Sequence, residues 1–148
     1  MINELFSNQV LIASLISWFL AQALKVPIEF IYSRKWNWSL WFSAGGMPSS
    51  HSAIVSAAAL GIGLIEGFDA PLFGLSIVIA MVVIYDATGV RRQAGLQAHK
   101  INYLFEELLS GHPISEETLK ELLGHTPLQA FGGILLGIVV ELITWSIW

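Results

Sequence analysis

At 148 residues the chain is long enough for one domain. Hydrophobic residues make up 55% and charged residues only 12%, against roughly 25% charge in soluble domains, so an ordinary soluble fold is excluded and lipid is the expected solvent. A net charge of −4 with no basic run argues against a nucleic-acid partner, and the absence of cysteine rules out disulfides, thiolate catalysis and Cys-ligated zinc.

The first apolar run, from about Phe6 to Leu24, has no basic region before it and no small-residue cleavage site after it, so it reads as a retained membrane helix. A span needs about 20 mostly apolar residues. Three further stretches approach that length: Ser50 to Glu66, rather short; Pro71 to Val90; and Pro127 to Trp148. The second is rich in small residues, with Ala53, Ala57, Ala58, Ala59, Gly61 and Gly63, and the fourth carries Gly133 and Gly137 at GxxxG spacing. Small residues let helix backbones approach closely in lipid, so these positions read as packing surfaces.

Two long connections, Lys25 to Ser49 and Arg91 to Thr126, join these helices and with four spans share one side of the membrane. All seven basic residues fall in them: Lys25, Arg34, Lys35, Arg91, Arg92, Lys100 and Lys120. The positive-inside rule puts that side in the cytoplasm and both termini outside it. The first connection holds Trp36, Trp38, Trp41 and Phe42, a cluster suited to the headgroup layer. The second has apolar residues at Ile101, Leu104, Phe105, Leu108 and Leu109, which is helical spacing. After Pro113 a second short helix is expected, with Ser115 as N-cap and Glu116 and Glu117 in its first turn. The expected architecture is an all-α integral membrane protein with about four transmembrane helices plus a small cytoplasmic helical cap. It forms a single domain over 1–148, with 93–124 as the cap insertion.

Three strings carry residues capable of chemistry. In Gly45-Gly46-Met47-Pro48-Ser49-Ser50-His51-Ser52, Ser49 or Ser50 can cap a helix whose free N–H groups favour a phosphate. His51 in that first turn can protonate a leaving oxygen. Read locally, the string is equally a capped helix with an interfacial histidine. In the second string, Asp86 sits near the end of a span, where charge is costly, and Arg91 and Arg92 follow with guanidinium forks that match phosphate oxygens. The plainer reading is two interfacial anchors paired with Asp86. In Leu123-Gly124-His125-Thr126-Pro127-Leu128-Gln129, Thr126, Pro127 and Gln129 fit N-cap, N1 and N3 of a capping box. His125 lies just before that helix start, where a neutral imidazole can attack phosphorus. Two histidines at helix starts, an arginine pair and a lysine on one membrane face are the parts of a phosphoryl-transfer site. His99 and His112 lack such a context and read as surface residues. A metal site from His51, His125 and Asp86 matches no known ligand spacing, and no cofactor is expected.

From Lys25 to Gly137 these residues resemble the divergent branch of the type 2 phosphatidic acid phosphatase superfamily, related to the vanadium-dependent haloperoxidases. The family's second motif, Pro-Ser-Gly-His, is similar to Pro48-Ser49-Ser50-His51, with Ser50 in place of Gly. The resemblance implies His51 as general acid and His125 as nucleophile. Arg91 or Arg92 stands for the third-motif arginine, and Lys25 and Arg34 for the first-motif cations. Gln129 replaces the aspartate that would orient the nucleophile, and Asp86 is the other candidate for that role. The implied site is therefore His125, His51, Arg91, Arg92 and Asp86 for catalysis, with Lys25, Arg34, Ser49, Ser50 and Gln129 holding substrate. The implied activity is hydrolysis of a lipid-linked phosphate monoester or pyrophosphate through a phosphohistidine, in the inner (plasma) membrane with the site facing the cytoplasm. The contrasting reading is a non-enzymatic membrane transporter or lipid-binding protein with a retained anion site. A haloperoxidase-like vanadate enzyme would need a solvent-fed oxidative site, which nothing in the sequence suggests. Four short helices around one site are compatible with a homodimer.

Overall fold

The computed structural model describes residues 2–43, 45–109 and 124–148, and every regular element among them is helical. A short α1 (Ile2–Phe6) leads into α2 (Gln9–Ser33), which starts where the Asn8 side chain accepts from the Leu11 N–H at 3.0 Å. A 3-10 turn covers Trp38–Phe42. Then follow α3 (Ser50–Glu66), α4 (Pro71–Thr88), α5 (Val90–Leu109) and α6 (Pro127–Ile147). Proline at the first position of α4 and α6 removes an N–H that would have had no helical partner. α3 ends at Gly67, whose φ of 98° suits glycine.

Three stretches are long and apolar enough to cross a membrane: Gln9–Ser33, Pro71–Phe105 and Pro127–Ile147. α3, at 17 residues, is apolar but shorter, about 26 Å against a hydrocarbon thickness of about 30 Å. The chain is an all-α membrane protein. Its outer surface carries Phe19, Leu75, Val78, Met81, Phe131 and Leu135, all exposed as lipid-facing side chains are.

α3 is the hub and packs against α2, α4 and α6. Its inner face is Ser50, Ser52, Ala53, Ala57, Ala59, Gly61 and Gly63. On α6, Gly133 and Gly137 lie flat against it: a methyl group added at either would run into the carbonyl oxygen of Ser49 or of Ala53. The GxxxG pair is therefore a contact between helix backbones.

Two boundaries differ from the sequence pattern. α2 does not stop at Leu24 but continues through Lys25 and Pro27 to Ser33, where Arg34 adopts the left-handed conformation at φ 56°. This carries Lys25 into the helix and buries it completely. The segment after Thr88 is also helical at once: the Gly89 N–H bonds to Tyr85 O at 2.8 Å and the Gln93 N–H to Gly89 O at 3.0 Å, so α5 prolongs α4. Among the described residues α5 packs against α4 alone. The expected second cap helix, with Ser115, Glu116 and Glu117, lies outside the described residues, as do His112 and Lys120.

Candidate active site

Three helix ends meet at one end of the bundle. The Ser49 side chain caps α3 by accepting from the Ser52 N–H at 3.2 Å, and His51 follows in the first turn. Thr126 caps α6 by accepting from the Gln129 N–H at 3.3 Å, and the Gln129 side chain returns the bond to the Thr126 N–H at 3.0 Å. Two backbone bonds tie these starts together: the Ser49 N–H donates to Gln129 O, and the His125 N–H donates to Ala87 O near the end of α4, each at 2.9 Å. His125 is thus fixed by its own cap on one side and by α4 on the other.

These ties bring the two imidazoles face to edge, with ring centroids 5.8 Å apart and planes at 64°. His51 is half-buried. His125 is only 2% exposed, and among the described residues neither of its ring nitrogens has a partner within hydrogen-bond geometry. Burial, then the Lys25 ammonium and His51, push the His125 imidazole down to about 4 from its ordinary 6.5. The Gln129 side chain and the Gly46 backbone pull weakly the other way. At neutral pH His125 is therefore an uncharged imidazole with a lone pair available.

Lys25 reaches the same place from α2. Its ammonium donates to Ser43 O at 2.7 Å, and its methylenes lie where a Cβ on Gly46 would meet them at 3.5 Å. Gly46 has a φ of 90°, a conformation that suits glycine, so the chain passes close over the lysine. Gln22, one turn earlier, donates to Trp41 O and Ser43 O. The aromatic turn is thereby fastened to α2. Its rings continue as a ladder, with Phe30 on Trp36 at 4.4 Å, Trp36 on Trp38 at 5.5 Å, and Trp41 edge-on at 5.4 Å.

Lys25, Ser49, Ser50, His51 and His125 form one buried or half-buried cluster. Asp86 adjoins Ala87, whose carbonyl holds the His125 backbone. Gln129 lies beside His125, but its side-chain oxygen closes the capping box. Arg34 is exposed at the far end of α2, nine residues beyond Lys25, and is not gathered into the cluster. Arg92 is exposed on α5, and the Arg91 side chain lies outside the described ones. Sequence reasoning passed over Gln22, whose amide bonds link α2 to the aromatic turn, and Glu141, a carboxylate inside the last span. The acid within an otherwise uncharged 21-residue run was the available signal for the latter. No group of three or more His, Cys, Asp or Glu capable of holding a metal occurs among the described residues.

Comparison with known proteins bears on this arrangement. Residues 6–140 match the model of a family described as the divergent PAP2 family. The chain is 47% identical to the uncharacterized membrane protein YuiD of Bacillus subtilis (strain 168), over 95% of this chain and 96% of that protein. No solved structure matches.

Proposed function

The chain belongs to the divergent PAP2 family, and from that premise we propose that it is a membrane phosphatase acting on a lipid-linked phosphate monoester or pyrophosphate through a phosphohistidine. The observation that carries the reading is the facing pair His51 and His125, with rings 5.8 Å apart and buried Lys25 close by. In this reading one phosphoryl group is handed between the pair, and the neutral His125 attacks it.

In the first step the His125 lone pair forms an N–P bond as the P–O bond to the lipid breaks, and His51 gives its proton to the departing oxygen. In the second, His51 takes a proton from water, whose oxygen attacks phosphorus. The N–P bond breaks, and phosphate leaves with His125 restored. Charge on the transferring oxygens is met by Lys25, by the first-turn N–H groups of α3 at Ser50 and His51, and by Arg91 or Arg92 from the start of α5. The Lys25 ammonium exchanges Ser43 O for a phosphoryl oxygen. Asp86 is a positioning residue, acting through the Ala87 carbonyl on the His125 backbone. Gln129 acts through the cap that fixes His125.

The test is phosphate release from a panel of lipid phosphates by the purified protein. Loss of His125 removes the nucleophile, so His125→Ala should lose activity on lipid and activated substrates alike, by about 10³-fold or more, the scale of losing a catalytic nucleophile. His51→Ala should lose most on lipid esters, whose alkoxide needs a proton, and least on a nitrophenyl ester. Full activity in both variants would remove this site from consideration. The second reading, a transporter or lipid-binding protein with an anion site, is favoured by one observation: among the described residues no carboxylate hydrogen-bonds either His125 nitrogen. Phosphate binding without turnover on any member of the panel would select it. We further propose that the site faces the cytoplasm with both termini opposite. Labelling from outside intact cells at a cysteine introduced at Lys120, with none at the termini, would reverse that orientation.

A further inference from the structure

Glu141 lies in the second half of α6, fully buried, and among the described residues neither of its carboxylate oxygens has a hydrogen-bond partner. It presses on the backbone of α3: a Cβ on Gly61 would come within 2.7 Å of Oε1. Gly61 is ten residues beyond His51, roughly 15 Å along the helix, so Glu141 is too far from the histidines to touch a phosphate held there. Among the described residues, the elements packed around it supply no counter-charge. The buried face of α3 between Ser52 and Gly63 has no titratable residue, and that of α2 has only Lys25, which is bonded to Ser43 O at the histidine end. On α6, Thr144, one turn on, is buried and gives its hydroxyl proton to Val140 O, which leaves its oxygen lone pairs unused.

A second observation lies at the end of the bundle opposite the histidines. A cavity of about 800 Å³ opens there, lined among others by Asn8, Gln9, Ser14, Ile62, Glu66 and Trp148. Gln9 is buried with its amide nitrogen unpartnered among the described residues. Trp148 is seven residues after Glu141 and so on the same face of α6, two turns away. Ile62 directly follows Gly61. Neither Glu141 nor Gly61 lines the cavity, whose nearest lining residues along the two helices are Ile62 and Trp148.

A bare carboxylate is not stable in this setting, because burial strips its hydration and nothing replaces it. Ionisable groups inside spans mark proton and ion sites. We propose that Glu141 is a monovalent-cation site, whose occupant is a proton or a sodium ion bound by the carboxylate. It is separate from the phosphate chemistry and does not depend on it.

Infrared difference spectra between the wild type and Glu141→Gln in detergent micelles test the assignment directly. The expected result is a carbonyl band of a protonated carboxylic acid at neutral pH that is lost in the variant, which identifies the proton. An ionised carboxylate band that shifts when Na⁺ is replaced by N-methylglucamine identifies sodium. An ionised band indifferent to that replacement overturns the proposal. Should the variant fail to fold, dicyclohexylcarbodiimide is applied to the wild type and the adduct is located by mass spectrometry. An adduct on Glu141 that Na⁺ suppresses, or that declines as pH rises, supports the site. No adduct on Glu141 from acidic to alkaline pH, with or without Na⁺, overturns it.

Discussion

Helices α3 and α4 are neighbours of nearly equal length, 17 and 18 residues, and both are strongly apolar, yet they have opposite fates. α3 buries seven residues, all of them serine, alanine or glycine, against three helices. α4 buries only Ala80 and Ala87 and turns Leu75, Val78, Ile79, Met81 and Val82 outward. In lipid, large apolar side chains gain nothing by leaving the surface, because the tails outside are as apolar as the interior. Close backbone approach between small residues is what holds helices together. The difference governs the candidate site. His51 stands on the tightly held helix, and His125 is tied to α4 by its own backbone and precedes α6, whose first turn is bonded to the cap of α3. Arg91 and Arg92 ride on α5, the prolongation of α4, which among the described residues packs against α4 alone. The histidine pair is preorganised, whereas the arginines hang on a helix with one neighbour among the described residues.

The largest expected effect comes from attacking the small-residue seam. Gly137→Leu would drive a side chain into the Ala53 carbonyl and pry α6 from α3. Overpacking of this kind costs about 3 kcal/mol or more where backbone blocks relaxation. Thermal melting in detergent should fall sharply, and phosphate release with it. By contrast Gly74→Leu on α4, where nothing lies within 4 Å of an added Cβ, should leave melting nearly unchanged. Equal losses at both positions would break the contrast between the two helices.

This contrast also explains what could be read in advance. The starts of α3, α4 and α6 coincide with the sequence signals because Ser49, Pro71 and Thr126-Pro127-Gln129 act locally, through the first turn of each helix. The end of α2 was not legible. Lys25 and Pro27 resemble the close of a span, but in the bundle Lys25 finds the Ser43 carbonyl, eighteen positions along the chain, and the helix continues. That partner is set by tertiary packing. The convergence of His51 and His125 was foreseen only as two helix starts on one face. Their 5.8 Å separation depends on the Ser49–Gln129 and His125–Ala87 backbone bonds, which no local pattern encodes.

A smaller effect is expected on the α5 side. Arg91→Lys and Arg92→Lys keep the charge but lose the planar fork that grips two phosphoryl oxygens. Whichever arginine reaches the phosphate should lose about 10-fold in kcat/KM, the scale of one charge-assisted hydrogen bond. The other should behave as wild type. Unchanged turnover in both variants would assign the pair to anchoring the helix end and leave Lys25 as the principal phosphate cation.

The smallest effect sharpens the preorganised side. His125 must be neutral to attack, and its folded value of about 4 lies below the ordinary 6.5. Protonation of the nucleophile therefore begins only as pH falls toward 4, so acidification from pH 7 to 5.5 should leave the rate of phosphohistidine formation, measured in a single turnover, unaffected by His125. An unperturbed histidine at 6.5 would cost about 10-fold at pH 5.5. The same depression makes the folded state less tolerant of acid. Between 6.5 and about 4 the unfolded chain binds a proton that the folded chain refuses, so His125's contribution to stability is present above 6.5 and is lost as pH drops through that window. Burial is the first cause of the shift and Lys25 the second. Lys25→Met removes the second while keeping the apolar stem, so the acid limb should move upward, toward 6.5 without reaching it. A limb that stays near 4 in the variant would mean that burial alone sets it. A wild-type limb already near 6.5 would mean that His125 is open to water during turnover and that the tight end of the bundle loosens to work.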